Sequence, residues 1–253
     1  LTSNLTASNN SAFGKESLLN NTTGNSNVSI GVQSFSSNTT GSGNTTLGYQ
    51  SGRFSGTNST DCTLIGRSSN TLANTSYTNS TAVGYLSTVT ASNQMRFGNT
   101  SISSIGGYVG WSNISDARFK NNIQADIPGL KFILKLVPVS YNIDKNGLSR
   151  FLGENELLSS DENDVKSNSV HNKYSGFLAQ DVEQIAKSIG YDFSGVDIPE
   201  NSNGLYGLRY AEFVVPLVQA MKEQQAMIES LIKEKEIQNE KIENLQGKLE
   251  NLV

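Results

Sequence analysis

The sequence predicts two unlike halves: a mainly β N-terminal half, built as a parallel β-roll or β-helix of stacked repeats, and an α+β C-terminal half ending in a long coiled-coil helix. Three observations predict it. An apolar residue followed by Gly recurs at a nearly fixed period, charged side chains change from scarce to dense after Ile114, and a heptad stripe of apolar residues runs to the C-terminus.

The repeat comes first in the chain. Phe13-Gly14, Ile30-Gly31, Leu47-Gly48, Ile65-Gly66 and Val83-Gly84 each have a serine three positions after the glycine, and the glycines recur at intervals of 17, 17, 18 and 18. Phe97-Gly98 closes the series after 14. Asn10, Asn27 and Asn44 stand four before their glycines, Asn79 and Asn93 five before theirs. Each unit offers a short β-type segment (VSIG, TTLG, TLIG, TAVG) and then a turn rich in Gly, Ser, Asn and Thr. Such a unit is too poor in large apolar groups to bury a core alone. Stacked as successive rungs, the units align their apolar positions in a continuous column, with the recurrent Gly where the backbone takes φ > 0 or passes too close to a neighbour for a Cβ.

Beyond the repeat, Gln94 to Trp111 reads as a cap, with Ile102, Ile105, Tyr108, Val109 and Trp111 able to seal the end of the column. Asn-x-Ser/Thr sequons at Asn4, Asn21, Asn27, Asn38, Asn44, Asn58, Asn74, Asn79 and Asn99 mark a surface that could carry sugars. The repeats of roughly residues 8–100 resemble the head repeats of trimeric autotransporter adhesins, which implies a left-handed parallel β-roll shared by three chains.

Composition narrows the chemistry. The 253 residues carry a formal net charge of −4, which argues against a nucleic-acid partner. Up to Ile114 the only charged side chains are Lys15, Glu16, Arg53, Asp61, Arg67 and Arg96. One cysteine, Cys62, excludes an intrachain disulfide and a cysteine-cluster metal site, and one histidine, His171, removes most zinc and Ser-His-Asp arrangements. No metal and no cofactor are expected, so any catalysis must use other bases. No apolar run approaches the roughly 18–20 residues of a membrane span. The leading LTSNLTASNN lacks the basic and apolar parts of a signal peptide, and the start at Leu1 reads as a fragment of a longer chain.

The second half contains four pieces in order. They are Ser115-Asp116-Ala117-Arg118-Phe119-Lys120-Asn121-Asn122-Ile123; a helical run Gly129 to Val137 ending in Pro138-Val139-Ser140-Tyr141; Tyr174-Ser175-Gly176-Phe177-Leu178-Ala179-Gln180-Asp181-Val182-Glu183; and Gly207-Leu208-Arg209-Tyr210 leading into a long helix. Together they resemble the intramolecular chaperone auto-processing domain at the C-terminus of phage tail spikes and endosialidases and in myelin regulatory factor. The resemblance implies a domain that trimerises the fibre preceding it and then releases itself by cutting its own chain with a Ser-Lys dyad. Matched residue by residue, Ser115 is the nucleophile and Lys120 the general base, with Asp116 and Arg118 completing the motif.

A lysine near the usual pKa of about 10.4 is a poor base at neutral pH, so Lys120 needs desolvation or neighbouring cations, which burial in a trimer interface could supply. Positions i and i+5 lie on opposite faces of a strand and roughly 140° apart on a helix, so a turn or a neighbouring chain must bring the pair together. Attack by Ser115 Oγ on the Ile114 carbonyl passes through a five-membered ring and cuts between Ile114 and Ser115. Attack in trans, or a cut between Ser115 and Asp116, remains open at this stage. The plainer alternative is that Ser115-Asp116 only caps a turn.

Phe177, Leu178, Val182 and Ile185 have core spacing, and Gln180 is a candidate for satisfying backbone groups near the site. Gly147 to Lys173, including His171 and the acidic Asp161, Glu162 and Asp164, reads as a long exposed insertion. From Tyr210 onward, Val214, Met221, Ile228, Ile242 and Leu249 fall at one heptad core position and Leu217, Leu231, Leu245 and Leu252 at the other, interrupted by Gln224, Lys235 and Gln238. Such a seam needs partner helices. The expected organisation is a repeat region over 1–114, an auto-processing chaperone over 115–212 and a trimeric coiled-coil helix over 213–253. The expected molecule is a homotrimeric fibre or spike fragment on a virion or extracellular surface. The alternatives are a chaperone that trimerises without cutting, and an adhesin whose repeats meet a host receptor or glycan.

Overall fold

The computed structural model describes residues 2–154 and 173–251. The chain forms two compact units. Residues 1–111, with 142–173 and 199–205, make the first, and residues 112–141, 174–198 and 206–253 the second.

The first unit is a parallel β-solenoid. Strands β1 (Ser11–Phe13), β2 (Val28–Ile30), β3 (Thr45–Leu47), β4 (Thr63–Ile65), β6 (Thr81–Val83) and β8 (Met95–Phe97) form one sheet in that order, one strand per rung. A second pair, β5 (Asn70–Thr71) and β7 (Thr88–Val89), runs parallel on the later rungs. Each Gly-x-x-Ser is a turn: the Ser17, Ser34 and Ser51 N–H groups donate to the Gly14, Gly31 and Gly48 carbonyls at 3.2, 3.3 and 3.2 Å. The glycines stack. Gly31 sits at φ +136°, where a Cβ would lie 2.3 Å from the Gly48 carbonyl oxygen. Both reasons expected for the conserved-period glycine, positive φ and close approach, therefore apply.

The apolar column is present but faces outward. Phe13, Ile30, Leu47, Ile65, Val83 and Phe97 are in register across the sheet. Phe13, Ile30, Leu47 and Phe97 are exposed, whereas the middle residues Ser29, Thr46, Leu64 and Ala82 are fully buried. Strand side chains alternate in direction, so in a three-residue strand only the middle one points inside. That interior is mostly polar. Asn27 Oδ1 accepts from the Asn44 N–H at 3.0 Å, Asn44 Oδ1 from the Cys62 N–H at 3.0 Å, and the Asn27 amide donates to the Gly41 carbonyl at 2.9 Å. Cys62 occupies an asparagine's place in this ladder, and burial pushes its thiol pKa up.

Asn21, Asn27, Asn38 and Asn44 are buried ladder residues, which corrects their reading as surface sequons. Asn4, Asn58, Asn74 and Asn79 are exposed. The cap expected at the end of the roll is also corrected. Ile102 lies over Gly98 yet is itself exposed, and so are Ile105, Tyr108, Val109 and Trp111. The expected insertion likewise differs over its described part: α2 (Lys145–Phe151) is helical, and Glu154 after it is buried. His171, Asp161, Glu162 and Asp164 lie outside the described residues, as does Leu252.

The second unit packs around Phe132, Val182, Ala186, Phe193 and Phe213. Phe132 lies in α1 (Leu130–Ile133), a shorter helix than the run to Val137 suggested: beyond Ile133 the bonds tighten to i to i−3, with the Lys135 N–H to the Phe132 carbonyl and the Leu136 N–H to the Ile133 carbonyl, and Pro138 keeps Val137 out of helical conformation. Strand β9 (Val139–Tyr141) then pairs antiparallel with β10 (Tyr174–Gly176). Helix α3 (Ala179–Ser188) supplies Val182 and Ala186, with Phe177 and Ile185 packed against the cluster, while Leu178 is exposed. A short pair, β11 (Val196–Asp197) and β12 (Gly207–Leu208), leads to the 3-10 turn carrying Phe213 and to α4 (Val214–Glu250). At 37 residues α4 is about 55 Å long. Among the described residues, no helix is long and apolar enough to cross a membrane.

Candidate functional site

Asp116 organises the segment after Ile114. Its backbone is extended, and its carboxylate accepts the Arg118 N–H at 2.9 Å, capping a 3-10 turn over Ala117–Phe119. The Arg118 guanidinium returns to the same carboxylate through Nε at 3.0 and 3.1 Å and through Nη2 at 2.6 Å. This two-point grip, together with the N-cap, holds the Asp116 carboxyl below its ordinary pKa. The turn closes with Phe119 N–H to Asp116 O at 3.1 Å and Lys120 N–H to Ala117 O at 3.2 Å.

The consequence is at the ends of the motif. The turn carries residue 120 back past residue 115, and Lys120 Nζ donates a hydrogen bond to Ser115 Oγ at 2.7 Å. The i and i+5 separation, incompatible with a strand or a helix, is bridged by a turn within one chain. Lys120 is the donor here. To act as base it has to lose a proton and accept from the Ser115 hydroxyl, a change of protonation that leaves the heavy atoms where they are. Ile114, Ser115 and Lys120 are all exposed to water in the single chain.

The other motif pieces meet one another. Tyr141 faces Tyr174 across the β9–β10 pair, and their rings stack at 5.9 Å. The Phe177 N–H donates to the Tyr210 hydroxyl at 3.1 Å, and a Cβ on Gly176 would lie 2.2 Å from that oxygen. Arg209 is paired with Asp197. Gln180 is exposed on the first turn of α3, and among the described residues no hydrogen bond links it to Ser115 or Lys120.

Two contacts escaped the sequence. The Glu223 carboxylate on α4 accepts the Leu130 N–H at 2.7 Å and the Gly129 N–H at 3.3 Å, fastening the start of α1. Glu154 accepts from Thr100 at the end of the roll. Neither is signalled locally, since the partners are about ninety and about fifty residues apart.

Residues 115–191 match the model of the family described as chaperone of endosialidase. Residues 115–191 carry a chaperone-of-endosialidase domain. Ser115 is the first residue of the match, and the first three motif pieces lie inside it. No curated protein and no solved structure matches the chain.

Proposed function

We propose that the chain is a phage-type fibre or spike fragment. In this reading its chaperone domain drives three copies together and then cuts the chain once, between Ile114 and Ser115. The observation that carries the reading is the 2.7 Å contact between Lys120 Nζ and Ser115 Oγ at the first residue of the chaperone match. Lys120, as the neutral amine, takes the Ser115 hydroxyl proton while Oγ attacks the Ile114 carbonyl carbon. The same proton passes to the Ser115 amide nitrogen as the C–N bond breaks, leaving an ester that water hydrolyses. Asp116 and Arg118 hold the turn that keeps the two reacting groups adjacent.

Two surfaces support a homotrimer. Residues beyond Ala220 on α4 expose Met221, Ile228, Leu231, Ile242, Leu245 and Leu249, a stripe that requires partner helices. The roll presents its in-register column from Phe13 to Phe97, an apolar face of the kind that marks an association surface. A virion surface is the corresponding location.

The test is expression of the full chain followed by a denaturing gel. Wild type should split near residue 115, and Ser115→Ala and Lys120→Ala should each remain whole. An intact wild-type chain that is nevertheless trimeric would overturn the protease and leave the second reading, a chaperone that assembles without cutting. The exposure of Lys120 in the single chain is the observation favouring that rival.

A further inference from the structure

Glu154 belongs to the matched chaperone segment, yet it groups with the roll. Its side chain is 3 % exposed, and its carboxylate meets the end of the roll at two points. The Thr100 N–H donates to Oε1 at 3.2 Å and the Thr100 hydroxyl to Oε2 at 2.6 Å. Thr100 stands two residues after the last repeat glycine and before the Ile114–Ser115 bond, while Glu154 stands after it. A cut at that bond therefore separates the two residues covalently and leaves their hydrogen bonds untouched.

We propose that Glu154 is a latch that keeps the chaperone half bound to the finished roll after the chain is cut, so that scission and release are separate events. The partner it fits is the terminal turn of the roll, with the Thr100 N–H and hydroxyl presented together to one carboxylate. The proposal rests on self-cleavage only for its timing; the contact itself exists in the uncut chain. Both bonds end on one carboxylate whose residue is buried, so losing them would leave a buried polar group unpaired.

The neighbouring contact is loose. Leu152 and Gly153 face Phe54, Asn70 and Asn74 across a cleft of about 230 Å³, room for several water molecules. Among the described residues, the Asn70 amide nitrogen that lines this cleft is buried without a hydrogen-bond partner. A wet, incompletely filled contact contributes little holding force beside the two Glu154 hydrogen bonds. Before the cut, the intervening chain keeps Thr100 and Glu154 at high effective concentration. After it, the latch is an ordinary association, multiplied by the number of chains in the assembly.

The test uses the full-length chain after it has cut itself. On a native sizing column the cut wild type should run as one complex of both pieces. Glu154→Ala and Thr100→Val should cut to the same extent but release the chaperone piece about tenfold faster or more, as expected for a lost hydrogen bond to a charged group. Glu154→Gln, which keeps shape and one acceptor, should fall between.

If the wild type does not cut itself, the self-cleavage reading fails and the latch is still tested. A site-specific protease sequence is then inserted at Gly106-Gly107 in the Ser115→Ala chain, and the pieces are followed after that cut. Should Glu154→Ala fold poorly, Thr100→Val tests the contact from its exposed side. Separate elution of wild-type pieces, or retention unchanged in both Glu154→Ala and Thr100→Val, overturns the latch.

Discussion

Replacing Gly31 with alanine tests whether the rungs are held by backbone contact that only glycine allows. The new Cβ would lie 2.3 Å from the Gly48 carbonyl oxygen and 2.6 Å from its carbon, at φ +136°. A comfortable carbon–oxygen contact begins at about 3.3 Å, so the rungs would have to part by roughly 1 Å. The Gly48 N–H to Ile30 carbonyl bond, 2.9 Å long, runs across the same gap and would be stretched beyond bonding distance. A non-glycine residue held in such a conformation costs about 1–3 kcal/mol and the lost hydrogen bond about 1 kcal/mol, giving about 2–4 kcal/mol in all. Because rungs contact only their neighbours, the damage should be local. Urea unfolding followed by amide exchange should show lost protection at β1 and β2 while β4 to β8 keep theirs. Gly110→Ala, at a position with nothing within 4 Å, is the control and should change little. If Gly31→Ala stays within about 0.5 kcal/mol of wild type, an ordinary surface effect, the close-stacking argument is wrong.

Leu47→Asp should leave a lone roll folded, since Leu47 is exposed there, but abolish trimers in sedimentation; a stable trimeric variant refutes the column as an interface. Gly176→Ala should displace the Tyr210 hydroxyl from the Phe177 N–H and cost about 1–3 kcal/mol. Adding Tyr210→Phe should then cost little more, so additive losses in a double-mutant cycle would contradict the contact. The Glu223 carboxyl is held below its ordinary pKa, first by the Leu130 N–H, then by the Gln219 amide and the Gly129 N–H. A depressed folded-state pKa stabilises fully above the unfolded value and is lost as pH falls through the folded one. Acid unfolding of wild type should therefore carry a proton-uptake step below the usual carboxylate range. Glu223→Gln should lack that step, and identical acid profiles for the two chains would refute it.

How much of this was legible depended on the range of the interaction. Gly-x-x-Ser and the Asn ladder recur in sequence because each rung repeats the same local turn, so the period gave the parallel solenoid directly. Which side of a three-residue strand faces inward is not local. Apolar Ile30 and Leu47 point out while polar Ser29 and Thr46 point in, since the interior is filled by hydrogen-bonded Asn, Ser and Thr rather than by hydrophobic bulk. At the site, the residue types at 115, 116, 118 and 120 could be read, and so could the need for a turn between them. The cap and guanidinium grip that build the turn follow from Asp116 and Arg118 standing two apart. Glu154 to Thr100 and Glu223 to Leu130 span too much chain for any spacing rule to find, and Glu154 sat in a stretch whose polarity suggested only solvent.

For the proposed self-cleavage, the exposure of Ser115 and Lys120 makes assembly the step that would limit cutting. In the single chain Lys120 is exposed and donates to Ser115, the direction opposite to the one attack requires. Desolvation favours a neutral amine, and cover by neighbouring chains would supply it. The stripe on α4 is the surface that three chains would cover first, because its apolar side chains Met221, Ile228, Leu231, Ile242, Leu245 and Leu249 are exposed. Removing Lys233 to Val253 shortens that seam while leaving Ser115, Lys120, the turn between them and the Phe132–Phe213 core in place. The truncated chain should stay monomeric and cut at least about tenfold more slowly, the rate rising with chain concentration where the full-length rate is already saturated. A monomer that cuts as fast as the full-length chain would show that the 2.7 Å pair needs no second chain, and that the timing lies in the folding of the turn itself.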